Sequence, residues 1–122
     1  MKEVRVNNLS RPLDEPLQVR WCRSFFCRLR GLMFRKRIEF NEGLVLVQQR
    51  AGVMNTAVHM LFVFTDLAVI WIDGDNQVVD VIVAKSWHPH YAPRQPARFI
   101  LECAPERAAE FQVGDQIRFE EL

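Results

Sequence analysis

The sequence predicts an α+β, mostly β fold: a compact small barrel or sandwich of short strands with one moderate helix packed on it and one short helix. Three observations predict it. Apolar residues alternate, or run together over strand-length stretches, along most of the chain. Helical spacing occupies one moderate stretch, Ser24 to Met33. Asp73-Gly74-Asp75-Asn76 is the clearest hairpin turn, because Asp, Gly and Asn tolerate the positive φ angles of tight β-turns. Helical patterns do not alternate with the strands, which argues against a parallel βαβ architecture.

In order, Lys2 to Asn7 alternates with Val4 and Val6 on one face, and Leu17 to Trp21 repeats that period. Asn8, Ser10, Pro12, Asp14 and Pro16 mark the loop between them. Ser24 caps a helix whose apolar face is Phe25, Leu29, Leu32 and Met33, weakened near its end by Gly31. After the Asn41-Glu42-Gly43 turn, the continuous run Leu44 to Val47 suits a strand covered on both faces. Met60 to Phe64 and Leu67 to Ile72 read as two further strands, and Gln77 to Ala84 as the return from the hairpin. Ser86 to Pro96, with its three prolines, is a surface loop. Arg98 to Cys103 resumes a strand, Pro105 opens a short helix to about Phe111, and Gln116 to Phe119 is the last strand.

A chain of 122 residues, 49% hydrophobic and 25% charged, has the size and composition of one globular domain, here residues 1–122. No apolar run approaches the roughly 18 residues that span a bilayer, and the start lacks the apolar stretch of a secretory signal, so a cytoplasmic location is expected. Cys22, Cys27 and Cys103 match neither a zinc ribbon nor a Cys-x-x-Cys motif and read as reduced, semi-buried thiols. Net charge is +1, yet the stretch from Pro16 to Ile38 holds Arg20, Arg23, Arg28, Arg30, Arg35, Lys36 and Arg37 with no acid.

Several residues are chemically capable. His88 and His90, two apart, could hold a metal with His59 or Asp66, but no third ligand lies at a recognisable interval, so no metal and no cofactor is expected. His59 stands before an apolar stretch as a base or a loop anchor. Asp66, Asp73, Asp80 and Glu102 offer carboxylates for acid–base work, with turn chemistry or a solvated strand face as the plainer account of each. A nucleophile elbow, a phosphate-cradling glycine loop and a dinucleotide fingerprint are all missing. Arginines interleaved with Trp21, Phe25, Phe26 and Phe34 have the composition of a surface that grips a polyanion, although those aromatics fall at helix-core positions.

Taken together, Gly31-Leu32-Met33-Phe34-Arg35, Glu42 to Leu46, Asn55-Thr56 with His59-Met60, Asp66 to Asp73, Val78-Val79, Ala84-Lys85 with Trp87, Ala97 to Glu102 and Val113-Gly114-Asp115 resemble the domain of unknown function 192 family. The likeness covers nearly the whole chain. Ser86 departs from it, since relatives often carry proline before the tryptophan, and Trp87 to Tyr91 looks individual to this chain. The resemblance implies a β-rich domain with a helix packed on it, and no established activity, cofactor or catalytic residue.

The expectation is therefore a non-catalytic accessory domain that binds a small polar ligand or a protein partner through Asn55, Thr56, His59, Asp66 and Trp87. One alternative is a hydrolytic or metal-assisted enzyme using His59, His88 or Asp66. Another, less favoured, is a nucleic-acid module using Arg20, Arg23, Arg28 and Arg30. Membrane association is not expected, and a homodimer could form if Met60 to Phe64 lies at a sheet edge.

Overall fold

The computed structural model describes residues 2–24, 27, 31–33 and 35–122. Seven strands form one sheet: β1 (Glu3–Asn8), β2 (Gln18–Cys22), β3 (Glu42–Gly52), β4 (Leu67–Ile72), β5 (Val78–Ala84), β6 (Ala97–Cys103) and β7 (Ile117–Glu121), in the order β5-β4-β6-β3-β2-β1-β7. β1 alternates in burial, as a pleated strand with one buried face does, and β4 is apolar throughout, as a strand covered on both faces must be. All six residues of β4 are buried, and so are Leu44 to Val47 of β3, as their unbroken apolar runs require.

The sheet curls into a half-barrel. Val4, Val6, Val19, Val45, Ile70, Val78, Leu101 and Ile117, drawn from every strand, share a single buried cluster, which only a concave inner face can bring together. At one end the outer strands meet: Gln77 bridges Gln116, the Val78 N–H donates to Asp115 O at 2.9 Å, and the Gly114 N–H donates to Val78 O at 2.8 Å. Leu44, Leu46, Leu67, Val69, Trp71 and Ile100 project from the outer face and are covered by Leu32, Val58, Met60 and Val63 from the connections.

Four sequence expectations change. Met60 to Phe64 is not a strand but a turn, closed by the Val63 N–H on Met60 O at 3.1 Å with Phe62 at φ 61°. Only Met60 and Val63 of this stretch are buried, a three-residue spacing that a strand cannot direct to one face. β2 and β3 are parallel, so the chain from 23 to 41 is a crossover connection within an otherwise antiparallel sheet. The predicted helix on that connection lies largely outside the described residues; its flanks carry a Cys27 N–H to Ser24 Oγ bond of 3.1 Å and a Gly31 N–H to Cys27 O bond of 2.9 Å. The short helix is a 3-10 helix, Pro105–Glu110. Cys22 and Cys27 are joined in a disulfide rather than standing as reduced thiols, the backbone carrying their Cα atoms to 5.8 Å, within bonding reach. Cys103 alone is free, and burial pushes its thiol up to about 12. No helix among the described residues is long and apolar enough to cross a membrane.

Candidate functional site

Of the four carboxylates singled out in the sequence, three are held in place by the fold. Asp73 Oδ1 accepts the N–H groups of Asp75 and Gln77, both at 2.9 Å, and so closes the hairpin. In that turn Asn76, at φ 64°, takes the left-handed position. Asp80 accepts the Arg94 N–H and guanidinium, each at 3.0 Å. Asp66 accepts the Ser86 N–H at 2.9 Å and faces Lys85 Nζ at 3.5 Å, and the Ser86 bond, then Lys85, holds its carboxyl below the usual range. A proline at position 86 would have no N–H to give.

Glu102 is different. The register pairs it with Leu44 of β3 and Val69 of β4, placing the carboxyl in the apolar outer-face row between them. It is buried, its Oε1 has no hydrogen-bond partner, and burial raises its carboxyl to about 7. A buried polar atom left without a partner costs about 1–3 kcal/mol, more for a charged group, so such an atom calls for an explanation.

That explanation has room to exist. Glu102 lines a cavity of about 50 Å³ together with Gly31, Leu32, Leu46, Ala57, Val58, His59, Met60, Val63 and Leu67. One water needs only about 10–15 Å³ on the same measure, so the space admits a group of several heavy atoms. Among the described residues the other polar side chain lining it is His59, whose buried Nδ1 also lacks a partner.

Two loops build the wall that carries His59. Val58 exchanges both backbone hydrogen bonds with Tyr91, each 2.8 Å, while the Met60 N–H donates to His88 O and the Trp87 N–H to Met60 O, also 2.8 Å. Thr56 Oγ1 donates to Gly52 O at 2.6 Å, and the Thr56 carbonyl accepts the buried Trp71 Nε1 at 2.7 Å, pinning this loop to β4. Asn55 Nδ2 donates to Arg50 O at 2.9 Å, and Asp66 ties down the Ser86 turn. Trp87, at φ 68°, packs its half-exposed ring 5.0 Å from Phe62 and 5.5 Å from Phe64. The five expected site residues thus sit on one set of mutually bonded loops, but only His59 among them lines the cavity.

Elsewhere, His88 stacks on Tyr91 at 5.8 Å, and the described residues contain no group of three His, Cys, Asp or Glu side chains fit to hold a metal. In the basic stretch, Arg20 and Arg23 are exposed, Arg35 pairs with Glu42 at 2.6 Å and Arg37 with Glu39 at 2.7 Å. Trp21 packs on Phe99 and Phe119. Arg28 and Arg30 lie outside the described residues.

Residues 6–119 match the model of the DUF192 family, described as Uncharacterized ACR. The chain belongs to the DUF192 family. Other proteins similar to this DUF192 chain are UPF0127 proteins of archaea: TK1120 of Thermococcus kodakarensis, 36% identical over 82% of this chain and 63% of its own length, and PF1050 of Pyrococcus furiosus, 31% identical over 94% and 97%. The chain spans 63% and 50% of the two Thermococcus relatives first matched. Two crystal structures share the DUF192 fold. A Sinorhizobium meliloti protein described as a candidate transcription regulator superposes with a TM-score of 0.80 at 18% identity, over 97% of this chain and 92% of that one. A Novosphingobium aromaticivorans protein of unknown function superposes at 0.78 with 19% identity, over 95% and 83%.

Proposed function

We propose that this DUF192 domain is a non-catalytic binding module that takes the polar end of a small ligand into the cavity between His59 and Glu102. The loops bearing Asn55, Thr56, Asp66 and Trp87 hold the His59 wall in position. The observation that carries the reading is the unpartnered Glu102 Oε1, buried at a cavity whose other described side chains, His59 apart, are apolar. Ligand sites combine apolar walls with a few polar groups that fix orientation, and this cavity has that composition.

The test is a thermal-shift and ligand-observed NMR screen with small alcohols, amides, amines, carboxylates and sugars, run on the native chain and on Glu102→Leu. A ligand that binds the native state raises its melting temperature by mass action. A hit lost in a folded Glu102→Leu variant is the expected result. No hit at millimolar concentration, or hits indifferent to Glu102→Leu, would overturn the reading.

A cytoplasmic location belongs to this proposal, and the Cys22–Cys27 disulfide supplies its test. Disulfides are rare in reducing cytosol. Alkylation in acid-quenched cells reads the state of the pair directly: thiols found reduced in the cell support the cytoplasmic location, and a quantitatively oxidised pair places the domain in an oxidising compartment.

A further inference from the structure

We propose that the cavity takes a primary ammonium group carried on an unbranched aliphatic stem, the charge set against Glu102 and the methylenes against the apolar walls. The proposal rests on the binding reading above and names its ligand class.

Four ligand chemistries compete, and the cavity separates them. A buried carboxylate is tolerated when paired with a cation or a metal, and a metal would need further ligands that the described residues do not assemble. An anion would be repelled by Glu102. A neutral hydroxyl restores one hydrogen bond but leaves the carboxylate's charge uncompensated. Among organic cations, a guanidinium brings five N–H donors in a fixed plane, whereas among the described residues the cavity's unpartnered side-chain atoms are two, Glu102 Oε1 and His59 Nδ1. A primary ammonium brings three donors on a compact head, enough for Glu102 Oε1, a second acceptor in the lining such as His59 Nδ1, and water at the mouth. A quaternary ammonium brings bulk and no donor.

The walls fit the stem. Leu32, Leu46, Val58, Met60, Val63 and Leu67 present aliphatic or thioether surface with no competing charge. From the neighbouring strands Leu44 and Val69 flank Glu102, and His59 is the other titratable side chain lining the space among the described residues. Each methylene fully buried should tighten binding roughly fourfold until the chain reaches solvent.

The experiment titrates the native chain with n-butylammonium chloride and, separately, with n-butanol, reading the Met60 methyl resonance so that binding is located without any variant. Saturable butylammonium binding that shifts Met60, with butanol at least tenfold weaker, is the expected result. Affinity for the amine should rise as pH increases towards 7 and level off above it, because Glu102 must lose its proton to pair while the amine stays charged throughout. Glu102→Gln, confirmed folded by its melting curve, should lose at least tenfold in amine affinity. Nα-acetyl-lysine methylamide binding as well as butylamine would identify a lysine side chain as the source, and its failure beside a binding butylamine would identify a free amine. Butanol binding as tightly as butylamine, or an unmoved Met60 resonance, would overturn the ammonium assignment. If butanol binds at Met60 while the amine does not, the binding reading survives its ligand class; if neither these probes nor the screen binds, both fall.

Discussion

At the scale of single residues, Glu102 links the proposed site to the stability of the whole chain. Its carboxyl titrates at about 7 folded against an ordinary 4.5, so between those values the native state binds more protons than the unfolded state. The stability it contributes is therefore fully present below about 4.5 and is lost as pH rises through 7. At about 1.4 kcal/mol per unit, the difference between pH 4.5 and pH 8 is on the order of 3 kcal/mol. Glu102→Leu removes both the titration and the orphaned oxygen. Urea denaturation should find Glu102→Leu more stable than the native chain by about 3 kcal/mol at pH 8 and nearly equal to it at pH 4.5. A stability difference that does not change with pH would show that Glu102 is not buried as an acid. Gly43 makes a complementary point on the adjacent strand: a Cβ there would stand 2.5 Å from the Glu102 carbonyl oxygen and 3.0 Å from Val19. Gly43→Ala should therefore separate β3 from β6 and destabilise by about 1–3 kcal/mol, the usual cost of overpacking, read from the same denaturation curves.

Among elements, the strands were legible because pleat and burial leave a period of two in the sequence, and β1, β2 and β4 to β7 fall within a residue or two of their expected bounds. The errors have physical causes. Met60 to Phe64 is as apolar as a strand, yet it is a turn whose Leu61, Phe62 and Phe64 are left partly exposed beside Trp87, and composition alone cannot separate the two. β3 runs to Gly52 through the polar Gln48, Gln49 and Arg50 because pairing with β6 resumes after a register shift, a tertiary effect without local signal. Candidate chemistry followed the same divide. Glu102 was visible as a strand carboxylate, but its lack of a partner depends on three strands and two loops meeting over it.

Arg107 was not legible at all, and it is the fastener of the 3-10 helix Pro105–Glu110. Fully buried, it donates to Glu15 O at 2.7 Å, Phe40 O at 2.8 Å and Pro16 O at 3.3 Å, pairs with Glu110 at 2.7 Å, and lies 4.3 Å over the Phe40 ring. These contacts join the loop before β2 and the turn before β3 to one side chain. Arg107→Ala should cost about 3–5 kcal/mol, because it strands buried carbonyls and a carboxylate together. Arg107→Lys should recover little of that loss, since an ammonium cannot reproduce a planar fork serving several acceptors. A lysine variant as stable as the native chain would show that the charge, not the geometry, is what matters there.

For the whole molecule, the half-barrel poses one mechanical question: what keeps the outer strands of a curled sheet together where the ladder does not close. β5 and β7 touch only at one end, through the Val78 N–H on Asp115 O, the Gly114 N–H on Val78 O and the Ile117 N–H on Asn76 O, at 2.8 to 2.9 Å. Asp115 organises that seam. Its buried Oδ2 accepts Asn8 Nδ2 from β1 at 2.8 Å and the Gln112 N–H at 2.9 Å, and Arg11 Nε stands 3.4 Å away. Gly114, at φ 96°, makes the turn that brings it there. Removing the carboxylate leaves the Asn8 amide with one fewer acceptor in a buried position and frees the turn. Asp115→Ala should therefore cost about 2–4 kcal/mol globally. Its more diagnostic effect is local. In native-state hydrogen exchange, the amides of Val78, Gly114 and Ile117 should open well below the global unfolding free energy in the variant, while Ile70 and Leu101, on the doubly flanked strands β4 and β6, should still exchange only through global unfolding. If protection instead falls equally at the seam and the centre, closure and sheet are one cooperative unit, and the half-barrel has no separable latch.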